Sequence, residues 1–174
     1  MNSIALLTFV MLLATGSANA QTLDAGQRTA APPAPPVASA ASREVTAAAA
    51  AIVDAFGRHD PVKYFSHFAP DATFVFHTTL KRLNTRAEYE AEWATWEKED
   101  GFRVRSCKSS DQGVQILGDV AVFTHSVQTK LSTHQGPSTV QERETIVFHR
   151  RGGKWVAVHE HLSPLPAPQP PVAK

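Results

Sequence analysis

The sequence predicts an α+β domain in which a cone-shaped, curved antiparallel sheet wraps around three N-terminal helices. Two observations lead to this fold class. Apolar residues recur with a period of about 3.6 before Gly101 and with a period of about 2 after it, which are the helical and strand periods. Hairpin-type turns at Gly118-Asp119, Gln135-Gly136-Pro137 and Gly152-Gly153 then divide the second half into four long strands. Helices followed by a strand meander form an α+β domain.

The first 20 residues predict a signal peptide. An uncharged apolar run from Ile4 to Ala14 is followed by Ala18-Asn19-Ala20, a small-x-small ending that is typical of a signal-peptidase site. No Lys or Arg precedes the run, and a buried N-terminal helix is therefore the alternative. The run is shorter than the roughly 20 apolar residues of a membrane span. We expect a periplasmic or secreted protein with no membrane span after signal removal.

The predicted domain covers residues 42–163 and lies between two segments of low complexity. Residues 21–41 are rich in Ala and Pro, and residues 164–174 form a Pro-rich tail. Such segments bury too little apolar surface to offset the entropy of the chain, so a disordered tether and a disordered tail are expected. The 174 residues carry a net charge of +1 without a basic stripe, which argues against a nucleic-acid partner.

Three helices are predicted before Gly101. The first runs from Ser42, its N-cap, to Phe56 and stops at Gly57. The second is the short segment PVKYFSHFA after Asp60, and the third is RAEYEAEWATWEKED, capped by Asn84 or Thr85.

Five strands are predicted from β-branched and aromatic residues and from alternation. One strand, Ala72 to Thr79, separates the second and third helices. The other four run from Phe102 to Leu117, Val120 to Thr133, Thr139 to Arg150 and Lys154 to Ser163.

These elements resemble the SnoaL-like branch of the nuclear transport factor 2-like superfamily. The matching segments are PDATFVFH, GDVAVFTHSV, ERETIVFHRRGGKW and VHEHLS, which span most of the predicted domain. The resemblance implies a pocket for a small organic molecule between the concave sheet face and the helices, and a homodimer formed through the sheets. Relatives include isomerases, cyclases, hydrolases, dehydratases and ligand binders, so the resemblance does not fix one activity.

The resemblance also implies which residues line the pocket. Side chains alternate along a strand, so Trp155, His159 and His161 share one face and Glu160 lies on the other. In the resembling family the Trp and His face is the concave one. An R-x-T pattern on the preceding strand likewise implies that Arg143 and Thr145 point toward the pocket.

Acid–base chemistry without a cofactor or a metal is the function that we expect from these residues. His161 and His125 are candidate proton carriers because imidazole titrates near neutral pH, and Tyr64 is a phenol near the expected pocket mouth. The expected substrate-binding residues are Arg143, which would hold an anion or an enolate, together with Thr145, His159, Trp155, Phe76 and Trp93. Isomerisation, elimination and ring closure all fit this set.

Two other hypotheses remain open. The chain could be a non-catalytic ligand-binding or dimerisation module, with His161 and Ser163 only anchoring the end of a strand. His159 and His161 with His125 could form the beginning of a zinc site, although this spacing coincides with the family motif. Steroid isomerases of the superfamily use an Asp base with Tyr and a protonated Asp as donors. No acidic residue occupies an inward strand position in our assignment, which argues against that mechanism.

Overall fold

The computed structural model describes residues 39–165, and the predictions for the signal peptide, the tether before Ser39 and the tail after Leu165 concern residues outside this range. In chain order the elements are α1 (Ala40–Gly57), α2 (Pro61–Phe65), β1 (Phe68–Phe76), α3 (Arg86–Thr95), a π-helical turn (Trp96–Asp100), β2 (Arg103–Leu117), β3 (Val120–Thr133), β4 (Gly136–Arg151) and β5 (Lys154–Pro164). The predicted α+β fold class is confirmed. Within residues 39–165, no helix is long and apolar enough to cross a membrane.

The helix α1 begins two residues before the predicted N-cap. Ser39 is the N-cap, and its hydroxyl accepts a hydrogen bond of 3.1 Å from the backbone N–H of Ser42. The helix ends at Gly57, where it approaches β2 closely. A Cβ atom at this position would lie 2.9 Å from the backbone nitrogen of Cys107, so only glycine allows this distance between helix and sheet.

The third predicted helix is divided into two parts. Thr85 is the N-cap, and its hydroxyl accepts a hydrogen bond of 3.1 Å from the backbone N–H of Glu88. The α-helix ends at Thr95, and the π-helical turn continues the chain to Gly101, whose φ of 65° is left-handed and stops the helix.

The sheet has the strand order β1-β5-β4-β3-β2. Strands β2 to β5 form the predicted antiparallel meander, but β1 pairs with β5 in parallel, so the sheet is mixed and not wholly antiparallel. Because α3 and three strands separate β1 from β5 along the chain, no hairpin fixes their relative direction.

The strand β1 starts earlier than predicted and shortens α2. The predicted second helix included Phe68 and Ala69, but α2 stops at Phe65 and β1 begins at Phe68, which is paired with Ala157 of β5. Both paired residues are buried. Pairing with β5 therefore overrides the local preference of this segment.

The hydrophobic core lies between the helices and the inner face of the sheet, which is the face turned toward the helices. Its largest fully buried side chains come from all three helices and from three strands; they are Ile52 and Val45, Tyr64, Trp93, Phe68 and Phe74, Phe123, Ile146 and Phe148.

Candidate functional site

The face of β5 that meets the helices changes at Val158. Phe148 of β4 pairs with Ala157, and the preceding Val147 pairs with His159, so Val158 is an extra residue in β5. Ala157 is buried before this bulge, and Glu160, only 3% exposed, is buried after it. The bulge therefore inverts the alternation for the last part of the strand.

Because of this inversion, the prediction that His159 and His161 point toward the pocket is wrong. His159 and His161 lie on the outer face of the sheet, His161 exposed and His159 half-buried. Nδ1 of His159 is 2.8 Å from Oγ1 of Thr73, and the pKa of His159 is lowered by burial and then by His161. Neither histidine lines a cavity with the helices.

Trp155 precedes the bulge and packs against the end of the core that is nearest the start of α1. Its indole N–H donates to Oε2 of Glu44 at 3.1 Å, and the guanidinium of Arg150 lies 4.8 Å from the centre of the Trp155 rings. The residue joins α1 to the β4–β5 hairpin. It does not line the cavity described below.

The orientation predicted for β4 is also wrong. Glu142 and Glu144 are buried on the inner face together with Ile146 and Phe148, whereas Arg143 is exposed on the outer face. Thr145 shares the face of Arg143. The large apolar side chains determine which face turns inward, and residues two and four positions before Ile146 must follow it.

A cavity of about 170 Å³ lies between the inner face and the helices. Six aromatic residues form much of its wall; they are Phe56, Tyr64, Phe76, Tyr89, Trp96 and Phe102. The cavity reaches the surface at His77 and Thr78, both of which are exposed. Of the predicted substrate-binding aromatic residues, Phe76 lines this space, but Trp93 is 2% exposed and belongs to the core.

Three glutamates line the cavity, and two of them interact directly. Glu144 and Glu160 are hydrogen-bonded to each other. The hydroxyl of Tyr64 donates to Glu160 at 2.9 Å to Oε2 and 3.1 Å to Oε1, and it lies 3.4 Å from the hydroxyl of Tyr89.

Burial is the largest cause of the pKa shifts in this cluster. It raises the pKa of Glu144 to about 7, and it raises the pKa of Glu160 well above 4.5, with the charge of Glu144 as the second cause. Burial and then the charge of Glu160 raise the pKa values of Tyr64 and Tyr89. At neutral pH, Glu160 and both phenols are therefore protonated, whereas Glu144 is near its midpoint.

His125 lies beside this pair on the inner face of β3 and is 3% exposed. Its Nδ1 is 2.8 Å from Oγ of Ser109, which accepts a hydrogen bond of 2.8 Å from the exposed amide of Gln112. Its Nε2 is 2.7 Å from Oε2 of Glu144, yet the alignment does not satisfy a hydrogen bond, and this atom has no other partner within residues 39–165. Burial lowers the pKa of His125 to about 4, so the contact is not an ion pair at neutral pH.

The third glutamate, Glu142, lies nearer the opening. Its Oε1 is 2.6 Å from Nε2 of His77, whose side chain is about one-third exposed. The Glu142–His77 pair thus lies at the opening of the cavity to solvent.

A metal site is not favoured by the positions of the candidate ligands. His125 is on the inner face, whereas His159 and His161 are on the outer face, so these side chains do not converge. In the part of the chain that the structure describes, no group of three His, Cys, Asp or Glu side chains is arranged to hold a metal ion. Cys107 lines the cavity, and burial raises the pKa of its thiol to about 11.

The sequence reasoning missed Glu142, Glu144 and Glu160. Its expectation that no acidic residue occupies an inward strand position is wrong. The signal for the first two was present, because Glu142 and Glu144 alternate in step with Ile146 and Phe148 in the segment ERETIVF. No comparable signal exists for Glu160, because its direction depends on the bulge.

Comparisons with known proteins agree with the fold. The family model described as SnoaL-like domain matches residues 45–168. The chain is similar to a structure described as a putative calcium/calmodulin dependent protein kinase II association domain from Xanthomonas campestris, with 26% identity over 79% of this chain and 94% of that one and a TM-score of 0.61.

Two further structures show the same fold at lower identity. A nuclear transport factor 2-like superfamily protein from Salmonella enterica is 16% identical, with a TM-score of 0.63 over 76% of this chain and 96% of that one. The association domain of the kinase CaMKII from C. elegans is 20% identical, with a TM-score of 0.57 over 71% of this chain and 95% of that one.

Proposed function

The chain belongs to the SnoaL-like domain family of the nuclear transport factor 2-like superfamily, and on this basis we propose that it binds a small, largely apolar organic molecule and transfers a proton on it without a cofactor. The fold is one of small-molecule-binding and isomerase-type proteins. The observation that carries the proposal is the hydrogen-bonded Glu144–Glu160 pair in the wall of an aromatic cavity.

Glu144 is the proposed general base. Its pKa of about 7 is suited to this role, because at neutral pH much of the group is ionised while the carboxylate remains more basic than an exposed glutamate. A proton on the carbon beside a substrate carbonyl would pass to Glu144, and the electron pair of the C–H bond would move to the carbonyl oxygen as an enolate.

Glu160 and Tyr64 are the proposed donors to the enolate oxygen. Their raised pKa values keep both groups protonated at neutral pH, so each has a hydrogen to donate where negative charge develops. Return of the proton to another carbon would give isomerisation. Loss of a group from the next carbon would give elimination, and attack of the enolate carbon on a second carbonyl would close a ring. This set resembles the carboxyl and phenol donors of the steroid isomerases.

His125 is proposed as a positioning residue and not as the base. Its neutral imidazole lies between Glu144 and Ser109, and the exposed Gln112 follows Ser109. This row of polar groups supports a route by which Glu144 exchanges its proton with solvent. His161, which we first expected to be catalytic, has no part in the proposal because it lies on the outer face.

Hydrogen–deuterium exchange tests the proposal without knowledge of the complete reaction. A panel of small aromatic ketones is incubated with the protein in D₂O, and loss of the C–H signal beside the carbonyl is followed by NMR. We expect exchange with the wild-type protein, at least about a hundredfold slower exchange with Glu144→Gln, and no change with Glu99→Gln, an exposed control. Binding of the ketones without accelerated exchange would instead support a non-catalytic ligand-binding module. Mass spectrometry of copurifying molecules would identify its ligand.

We also propose a homodimer formed through the outer face of the sheet. Half-buried Val75, Val122 and Val147 on this face support an apolar contact, and two of the similar structures are described as association domains. Light scattering should give twice the mass of one chain, and Val147→Glu should return the monomer. A mass of one chain for the wild-type protein would contradict this proposal.

Export is proposed from the sequence of residues 1–20. In a bacterial host, the mature protein should be recovered from the periplasm or the medium with Gln21 as its first residue. Cytoplasmic protein that retains Met1 or Asn2 would contradict export.

A further inference from the structure

We propose that the molecule bound in the cavity carries a positive charge, in the form of an ammonium group attached to a small apolar body. The inference rests on the proposed function, because it takes the cavity as the substrate site. It adds the chemical class of that substrate, which neither the fold nor the reaction type determines.

The charge of the cavity wall favours a cation. Glu142, Glu144 and Glu160 line it, and within residues 39–165 no lysine or arginine does. His77 is the lining residue that could carry a positive charge, and its Nε2 already contacts Glu142 at 2.6 Å. Burying carboxyl groups without a counter-charge is costly. A ligand cation would supply, to the ionised member of the Glu144–Glu160 pair, the counter-charge that the described chain does not.

The aromatic part of the cavity wall also favours a cation. Six rings surround the same space, and ring faces attract cations through their quadrupole while they repel anions. Recognition of ammonium groups by several aromatic rings is known in proteins. An apolar cavity alone would accept neutral molecules as well, but aromatic rings and carboxyl groups together favour a cation.

The unsatisfied Nε2 atom of His125 also bears on the charge of the ligand. It lies 2.7 Å from Oε2 of Glu144 without a hydrogen bond, in a residue that is 3% exposed. An ammonium group that binds Glu144 favours the ionised form of that carboxyl, in which both oxygens accept hydrogen bonds. A rotation of the Glu144 side chain that aligns one oxygen with Nε2–H would then satisfy His125 while the other oxygen binds the ammonium.

The size of the cavity limits the apolar body. Its volume of about 170 Å³ is close to that of engineered apolar cavities of about 150 Å³ that hold benzene. One ring with a short substituent therefore fits, and larger groups would extend through the opening at His77 and Thr78.

Three probes of nearly equal size test the charge preference on the purified wild-type protein. They are benzylamine, benzyl alcohol and benzoate, which are cationic, neutral and anionic at neutral pH. We expect calorimetry to show benzylamine binding at least about tenfold more tightly than benzyl alcohol, and benzoate binding more weakly than both. Because only benzylamine favours ionised carboxyl groups, its binding should also release protons, measured as a dependence of the binding enthalpy on the buffer.

The source of any proton release must be assigned, because several titratable groups surround the Glu144–Glu160 pair. They are Tyr64, Tyr89, His125, Glu142, His77 and Cys107. Glu160→Gln should weaken benzylamine binding about tenfold and reduce the proton release, and it should weaken benzylamine binding more than benzyl alcohol binding. Glu99→Gln makes the same chemical change at an exposed position and should alter neither.

The outcomes separate the two proposals. Equal or tighter binding of benzyl alcohol or benzoate would overturn the preference for a cation and leave a small-molecule cavity in place. Binding of none of the three probes would overturn the proposed small-molecule site itself, and the preference with it. Tight benzylamine binding that Glu160→Gln does not weaken, in a variant that melts like the wild type, would place the ammonium elsewhere and also overturn the inference.

Discussion

A carboxyl group in the cavity and a carboxyl group that contacts the hairpin between β4 and β5 have pKa values shifted in opposite directions. At the hairpin, Asp71 is exposed and accepts hydrogen bonds of 2.8 and 3.1 Å from Arg151, which lower its pKa. In the cavity, Glu144 is buried beside Glu160, and burial raises its pKa to about 7. A carboxyl group paired with arginine at the surface stays charged and inert. The same group buried without a cation can exchange a proton at neutral pH.

The difference also explains why the polar residues of the outer face are poor candidates for chemistry. Arg143 and His161 are exposed there, where water screens their interactions with other charges.

Insertion of one alanine between Val158 and His159 should have the largest effect. With the pairing of Ala157 and the bulge kept, every residue after the insertion moves on by one position, so Glu160 would turn to the outer face and His159 and His161 would turn into the core. We expect a loss of more than about 4 kcal/mol in the free energy of unfolding, measured in urea, or failure to fold. The control Val158→Ala keeps the length of the strand and should cost about 1 kcal/mol. An insertion variant as stable as this control would show that the number of residues at the bulge does not set the direction of Glu160.

The pH dependence of stability should separate Glu144 from Asp71. The pKa of Glu144 is raised in the folded state from 4.5 to about 7. Its stabilising contribution to the free energy of unfolding is therefore fully present below pH 4.5 and is lost as the pH rises through 7. The stability of Glu144→Gln relative to wild type should therefore increase by about 3 kcal/mol over this range.

Two other groups bear on the same measurement. His125, whose pKa is lowered from 6.5 to about 4, contributes with the opposite sign, since its stabilisation is lost as the pH falls from 6.5 through 4. Glu160, whose pKa is also raised, contributes with the same sign as Glu144, so the comparison of Glu144→Gln with the wild type is what isolates the contribution of Glu144. Because the pKa of Asp71 is lowered, Asp71→Asn should lose stability only at higher pH. The loss should be small because solvent screens this exposed ion pair. A relative stability of Glu144→Gln that is constant with pH would contradict the raised pKa.

Removal of the Tyr64 hydroxyl should have an intermediate effect. Tyr64→Phe deletes the donor to Glu160 inside the cavity and should cost about 1–2 kcal/mol in urea unfolding. The matched variant Tyr89→Phe removes a hydroxyl whose contact with Tyr64 is 3.4 Å, and it should cost less. An equal or greater loss for Tyr89→Phe would show that the Glu160 hydrogen bond is not the stronger of the two.

The smallest effects are expected on the outer face. His161→Ala and Arg143→Ala should each change the free energy of unfolding by less than about 0.5 kcal/mol and leave benzylamine binding unaltered. Calorimetry and urea unfolding check both statements. Loss of benzylamine binding in either variant, with stability retained, would indicate that His161 and Arg143 belong to the binding site.

The fold was largely predictable because each half of the chain has one dominant period. The turn at Gly118-Asp119 and the turn at Gly152-Gly153 both lie between strands, as their residues predict. The parallel pairing of β1 with β5 was not predictable, because the intervening elements leave its direction free. The signal peptide, the tether and the tail remain predictions.

The candidate site was only partly predictable. Burial of Phe76, Tyr64 and His125 follows from their apolar neighbours, although their functional roles remain predictions. A strict alternation along β5 gives the wrong face after Val158, since a bulge depends on pairing with β4 and leaves no local signal in VAVHEHLS. Similarity to a family motif could not correct this, because the motif specifies residue types and not their direction.

Gly57 also has a consequence for how ligand size could change in related chains. The helix α1 brings Ile52, Val53 and Phe56 to the cavity, and its distance from the sheet depends on the missing Cβ beside Cys107. Alanine at this position would force the helix and its three lining residues outward. Related chains could thus acquire a roomier chamber, and a preference for bulkier molecules, while every residue in its wall stayed the same.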